Sequence, residues 1–266
     1  MPPAARDADR PAVLAHERYV ADRKNFAGLS LAARFERIVR TNLWGAATSV
    51  SGLGSEDAAT AAIRDALPGL LRRLQVRSLL DAPCGDASWI MNCVQGLDYV
   101  GVDIVPSLIA ANTDRAARGE IAGRFVLADM TSDTLPPADA ILCRDCLVHL
   151  SFKNIRRAVG RFRASGAEWL LTTTFPEWEV NSDCEDGDWR ALNLQRPPFD
   201  WPVPLDLINE RCGEGDGGWR DKSLALWRLA DLPDVNVPAP ARRPATARRS
   251  RANRTGCTVV PDIAAD

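Results

Sequence analysis

The chain has 266 residues, 46% of them hydrophobic, and a formal net charge of −2. That length and apolar content suit one large domain with extra segments at its ends, and the near-neutral charge excludes a strong overall preference for nucleic acid or anionic membrane. No run of about 18 apolar residues predicts a membrane span, and the polar start from Met1 to Arg10 has no apolar core of the signal-peptide kind, so a cytoplasmic location is expected.

Residues 11–41 read as helical, with Leu29, Leu31, Phe35, Ile38 and Val39 spaced near the 3.6 period. The run Thr48 to Ser55 holds two glycines and four hydroxyl residues and reads as a loop. Helix resumes from Ala58 to Leu74, with a break or kink expected at Pro68. From residue 77 short apolar runs alternate with amphipathic stretches. Strands are expected at 78–81, 99–103, 124–129, 138–143 and 169–174, with helices at 86–95, 106–118 and 151–164 between them. Strands spaced by helices make βαβ units and a parallel sheet. Two last edge strands are expected at 205–209 and 222–229. The organisation expected is an N-terminal helical segment and lid (1–76), a ligand-binding α/β domain (77–232) and a disordered tail (233–266) rich in proline and arginine.

Seven cysteines make an odd count in a chain that is not small, which argues against a disulfide framework. Cys143 and Cys146 form a C-x-x-C, but no second such pair exists, so no metal site is expected.

Open parallel sheets bind ligands beyond the carboxyl ends of their strands. Four of the predicted strands end on acidic residues: Asp81 with Asp86, Asp103, Asp129, and Arg144-Asp145. A core does not require such a ring of acceptors; a polar ligand does. A dinucleotide site needs glycines at G-x-G-x-x-G to approach a pyrophosphate. The first turn here keeps only Gly85, and its carboxylates would oppose phosphates. A phosphate-free cofactor with a cationic end fits better. S-adenosylmethionine carries a sulfonium and an ammonium. Asp103 suits its ribose hydroxyls, and Asp129 suits the exocyclic amine of its adenine.

On these residues the chain resembles the class I S-adenosylmethionine-dependent methyltransferases. Leu80-Asp81-Ala82-Pro83-Cys84-Gly85-Asp86 is similar to their glycine-rich first motif, Gly101-Val102-Asp103-Ile104 to their acidic second, and Ala128-Asp129-Met130 to their third. Pro83 and Ala87 stand where the usual first turn has its outer glycines. The segments 42–45, 49–55, 143–150 and 189–194 resemble a bacterial subgroup of the same enzymes. The resemblance implies a Rossmann-like α/β fold, with a mostly parallel seven-stranded sheet, helices on both faces and extra N-terminal helices. It also implies a cofactor site of Asp81, Ala82, Pro83, Cys84, Gly85, Asp86, Asp103, Ile104, Asp129, Met130 and Arg144.

Methyl transfer needs alignment of the acceptor with the methyl group, and a proton acceptor when the nucleophile is a hydroxyl or a protonated amine. Asp145 and His149 are spaced i, i+4, which on a helix puts them on one face beside the methyl position. His149 is expected as general base, with Asp145 orienting it or binding the acceptor. Trp44, Trp178, Asn181, Trp189, Arg190 and Asn193 are expected to contact the acceptor, because tryptophans beside hydrogen-bonding groups suit a sugar or planar molecule. The expected activity is methylation of a small molecule or glycan at oxygen, with no specific nucleic-acid partner. Two alternatives stand: methylation at nitrogen of a protein or small molecule, and a non-catalytic adenosyl-binding regulator.

Overall fold

The alternation of short apolar runs with amphipathic stretches from residue 77 onward resolves into a seven-stranded sheet. The computed structural model describes residues 10–234. Strands β1 (Ser78–Asp81), β2 (Asp98–Asp103), β3 (Arg124–Leu127), β4 (Ala140–Cys143) and β5 (Trp169–Thr174) follow the predicted runs, and β6 (Asp206–Asn209) and β7 (Ser223–Arg228) complete the sheet. Their order is β3-β2-β1-β4-β5-β7-β6. Every neighbouring pair from β3 to β5 is parallel, and β7 runs antiparallel to both β5 and β6. The chain winds outward from β1 to β3 and then returns to β4 on the other side of β1. That reversal opens a crevice beyond the carboxyl ends of β1 and β4.

Five α-helices accompany the sheet among the described residues: α1 (Leu14–Asp22), α2 (Leu31–Arg40), α3 (Asp57–Arg73), α4 (Pro106–Ala117) and α5 (Phe152–Ala164). Successive strand residues face opposite sides, and the core divides accordingly. Leu80 and Ile141 pack with Ile155, Ala158, Val159 and Phe162 of α5. Leu79, Ala140 and Leu142 pack with Ile63, Leu67, Leu70 and Leu71 of α3. Each such side chain, fully buried, contributes roughly 1.5–3 kcal/mol. Helices on both faces therefore hold the strand ends of β1 and β4 in a fixed relation.

The predicted N-terminal helix is two helices. A 3-10 turn at Arg23–Phe26 and Gly28 (φ 74°) separate α1 from α2, which restarts on Ser30, whose hydroxyl accepts from the Ala33 amide at 3.3 Å. The break expected at Pro68 does not occur, since α3 runs through it to Arg73. The helix expected at 86–95 is absent except for a 3-10 turn at Met91–Cys93. Two local features prevent it. The Asp86 carboxylate accepts from the Ser88 amide at 3.0 Å, and Ala87 sits in the left-handed region at φ 50°, which costs an alanine about 1–2 kcal/mol and cannot continue a helix. The predicted disordered tail lies outside the described residues from 235 onward. Among the described residues no helix is long and apolar enough to cross a membrane.

Candidate active site

The crevice is a cavity of about 950 Å³, its open mouth included. Asp81 to Gly85, Asp103 to Val105 and Ala128 to Thr131 form one side, and Arg144, Asp145, Cys146 and His149 form the other. The turn after β1 is bound to β2 by its backbone. The Cys84 amide donates to the Val102 carbonyl at 2.8 Å, and the Gly85 amide donates to Asp103 Oδ2 at 3.0 Å. Asp103 Oδ1 accepts from the Val105 amide at 2.9 Å. Gly85 has φ 54°, and a Cβ there would collide with the Ser51 hydroxyl, so both its conformation and its surroundings demand glycine.

Asp81 and Asp103 on this side are buried and form no ion pair, although the charge of Arg144 reaches Asp81. Burial pushes the Asp81 carboxyl up to about 7, against the stabilising bond from the Tyr99 hydroxyl at 2.8 Å. Burial likewise pushes Asp103 up to about 6, with the backbone N–H groups of Val105, Gly85 and Ile104 opposing the shift. Both values lie well above the ordinary carboxylate range, because a charge without a counter-charge is costly away from water.

The side formed at β4 is different. Arg144 Nη2 donates to Glu210 Oε2 at 2.7 Å, and Lys222 Nζ donates to Asp145 Oδ2 at 2.6 Å. Arg144 also lies 3.4 Å from Asp145, and Lys222 lies 3.3 Å from Glu210. Two cations and two anions thus close a buried quartet. Burial alone would raise the Asp145 carboxyl, but Lys222 and Arg144 outweigh it and hold the group far below the usual range. Asp145 has φ 50°, a strained conformation for a residue with a side chain. Its amide donates to the Thr173 hydroxyl at 2.8 Å. A Cβ on Gly54 would strike the Asp145 carboxylate, so the 49–55 loop rests directly on the quartet.

His149 closes a one-turn 3-10 segment, Leu147–His149. Its Nδ1 lies 2.8 Å from the Asp188 carbonyl. A carbonyl only accepts, so Nδ1 carries the proton and Nε2 keeps its lone pair. Burial lowers the imidazole to about 4, although the bond to Asp188 and the charge of Asp145 oppose that shift. The ring packs on Trp44, with centroids 4.7 Å apart.

The N-terminal segment covers the cavity. Leu31, Phe35 and Val39 form one stripe of α2 and line the cavity wall together with Trp44, Ser51 and Ser55. Ser49 donates to Asp86 Oδ2 at 2.7 Å, and Ser51 Oγ accepts from the Asp86 amide at 3.0 Å. The segment is fastened at its other end by Arg10, which pairs with the buried Asp221 at 2.5 Å and lies over the rings of Trp178 and Trp219 at 5.4 and 5.2 Å.

Residues 79–165, from β1 into the last turn of α5, match a family model described as a methyltransferase domain. Over this stretch the chain carries a methyltransferase domain. No curated protein matches its sequence. Solved structures similar to this chain include the magnesium protoporphyrin IX methyltransferase of Synechocystis PCC 6803 with bound S-adenosylmethionine, at 13% identity, 75% of this chain, 97% of that one and TM-score 0.49. A methyltransferase from Clostridium acetobutylicum ATCC 824 aligns at 11% identity over 66% of this chain and 93% of its own, with TM-score 0.48. A sugar N-methyltransferase from Streptoalloteichus aligns at 24% identity over 50% and 54%, with TM-score 0.39.

Of the expected site residues, Asp81, Ala82, Pro83, Cys84, Gly85, Asp103, Ile104, Asp129, Met130, Arg144, Asp145, His149 and Trp44 all line the cavity. Several expected roles need correction. Asp86 is not part of the wall; Ser49 and the Ser88 amide take up its carboxylate. Asp145 and His149 share no helix, because Asp145 is left-handed and a single 3-10 turn follows it. Asp145 does not orient His149, whose partner is the Asp188 carbonyl. Held ionised by two cations, Asp145 cannot act as a base. Arg144 reaches the wall, but its guanidinium is committed to Glu210 and Asp145 and stacked over Trp89 at 5.2 Å.

Trp178, Asn181, Trp189, Arg190 and Asn193 are absent from the cavity wall. Arg190 donates to the carbonyls of Leu147 and Leu150, fixing the turn that carries His149. Asn193 Nδ2 donates to the Pro176 and Trp178 carbonyls, and Asn181 Nδ2 to the Asn193 carbonyl at 2.8 Å. Trp178 and Trp189 pack with Trp219. The sequence reading missed Lys222, Glu210 and Asp188. The α2 stripe was visible in the sequence as an apolar period, without a sign of what it faces.

Proposed function

We propose that the protein methylates a hydroxyl of a small molecule or glycan, with His149 as the general base. One observation carries this reading: a neutral imidazole at the cavity wall, its Nδ1–H committed to the Asp188 carbonyl and its Nε2 lone pair left over. That arrangement supports proton acceptance from a hydroxyl at the moment its oxygen attacks. Trp44 adds a buried indole N–H without a partner, beside the same imidazole, as a donor for the acceptor molecule. The apolar stripe of α2 gives the acceptor a face to lie on.

The residues opposite suit S-adenosylmethionine. The desolvated Asp81 and Asp103 form no ion pair and would gain a cation from the sulfonium and ammonium of that cofactor. In this reading Asp81 faces the ammonium end, Asp103 takes the ribose hydroxyls with the second lone pairs of its oxygens, and Asp129 takes the adenine amine. The bound cofactor supplies an electrophilic methyl group. The protein positions the acceptor in line with it and removes the acceptor's proton to Nε2. The electroneutral quartet holds Asp145 still beside that path. A cytoplasmic location belongs to the same proposal.

The test uses radiolabelled S-adenosylmethionine and fractionated small molecules and glycans to find an acceptor, then compares the native chain with His149→Ala. Turnover is expected to fall about 10²–10⁴-fold, with cofactor affinity unchanged. Only the neutral ring accepts a proton, and the imidazole titrates at about 4. The native rate at saturating cofactor is therefore expected to be flat from about pH 6 to 9 and to fall only toward pH 4. A stable variant with normal turnover would refute the assignment.

A further inference from the structure

The chain has two histidines, and one residue touches both. Nδ1 of His16, on α1, lies 2.8 Å from Asp188 Oδ1, and Nδ1 of His149 lies 2.8 Å from the Asp188 carbonyl. A carboxylate and a carbonyl only accept, so both imidazoles donate to Asp188 from Nδ1. The two contacts face different places. His16 and Asp188 line an open groove that shares no wall residue with the cavity, whereas His149 lines the cavity itself. Asp188 is held at two further points. Its Oδ1 also accepts from the Trp189 amide at 2.7 Å, and its own amide donates to the Glu185 carbonyl at 3.0 Å. Its neighbours grip the turn that carries His149. The Gly187 amide donates to the His149 carbonyl at 2.8 Å, and the Arg190 amide donates to the Val148 carbonyl at 3.1 Å.

The partner of one ring nitrogen decides which nitrogen carries the proton. A free histidine side chain prefers the proton on Nε2, and that tautomer has no lone pair there. A base acting through Nε2 therefore needs a partner that keeps the proton on Nδ1. Here the partner is a main-chain carbonyl, and its direction follows from how the rest of Asp188 is tied. We propose that Asp188 is a positioning residue for His149: with its carboxylate held by His16 and the Trp189 amide, its carbonyl keeps the His149 proton on Nδ1 and leaves Nε2 free. No residue of α1 lines the cavity, yet through this contact α1 acts on the group that does. The proposal rests on the reading of His149 as general base.

Nitrogen NMR of histidine-labelled protein reads the tautomer without an acceptor. Burial lowers His149 to about 4, so near pH 7 its ring is neutral and one of the two tautomers is on view. His16→Ala leaves His149 as the sole imidazole, and because the His16 side chain is 45% accessible that variant opens no core. The native ring is expected to carry its proton on Nδ1. In Asp188→Ala, and to a smaller degree in His16→Ala, the signals are expected to move toward the Nε2–H form. Asp188→Asn keeps an oxygen for both donors and is expected to stay native-like. With an acceptor in hand, Asp188→Ala is expected to lower kcat about ten- to a hundredfold, the scale of losing a partner that orients an imidazole. KM for S-adenosylmethionine should not move, and Asp188→Asn should restore most of the rate. A purely structural Asp188 would lower the melting temperature and leave the tautomer alone. A native Nε2–H ring, or an Nδ1–H ring that persists in His16→Ala and in folded Asp188→Ala, overturns the inference and leaves the general-base reading to the His149→Ala test. A tautomer shift with unchanged turnover overturns the general-base reading, and the inference with it.

Discussion

The two walls of the cavity carry charge in opposite ways. At the ends of β1 and β2, Asp81 and Asp103 are buried with no ion pair, and burial pushes their carboxyls up to about 7 and about 6. At the end of β4, Asp145 is partly exposed, its side chain 21% accessible, and Lys222 and Arg144 keep it ionised far below the usual range. The second wall has settled its own electrostatics; the first has not. Uncompensated charge therefore marks where a ligand's charge belongs, and compensated charge marks where the protein holds itself rigid. Buried charge by itself distinguishes nothing.

The sharpest way to break this contrast is to remove a cation from the settled wall. Lys222→Met leaves Asp145 and Glu210 sharing only Arg144. Denaturant unfolding is expected to show a loss of about 3–5 kcal/mol, the cost of leaving a buried charge unpaired. A loss under about 1 kcal/mol would mean that the quartet is solvated and that the two walls are alike.

On the other wall, Asp103→Ala is expected to weaken S-adenosylmethionine binding by about 1.5–3 kcal/mol in calorimetry. The variant also strips a partner from the amides of Gly85 and Val105. Circular dichroism on the free variant should accompany the titration, so that loss of the loop is not read as loss of the ribose contact. Full affinity in a folded variant would remove Asp103 from the site.

A gentler test uses pH. The cation favours ionised carboxylates, while in the free protein Asp81 is half protonated near pH 7. Binding must then release protons, and affinity must rise with pH until Asp81 and Asp103 are both ionised. The expected gain is roughly tenfold between about pH 5.5 and 7.5. Calorimetry near pH 6.5 in two buffers of different ionisation enthalpy reads the proton release directly. S-adenosylhomocysteine, whose sulfur is neutral, should show the smaller slope. A pH-independent affinity would mean that these carboxylates do not face the cofactor's charge.

Much of this was legible in the sequence, for reasons that also show where legibility stops. The strands declared themselves because short apolar runs bounded by turns have few other structural uses, and the acidic residues at their ends stood out because a core has no use for them. Ala87 hid the missing helix, since an alanine in the left-handed region looks like any other alanine. Trp178, Asn181, Trp189, Arg190 and Asn193 were misread because residue type shows that a donor exists without showing which carbonyl it meets. Lys222 and Glu210 lie far along the chain from Asp145, and only the antiparallel return through β7 and β6 brings them to it.

The N-terminal cover is tied at both ends, by Arg10 to Asp221 and by Ser49 and Ser51 to the turn after β1. A strap held this way governs time more than affinity. Under the proposed function, loosening the tie of Arg10 to Asp221 is expected to speed the departure of a ligand held against α2 while changing its affinity little.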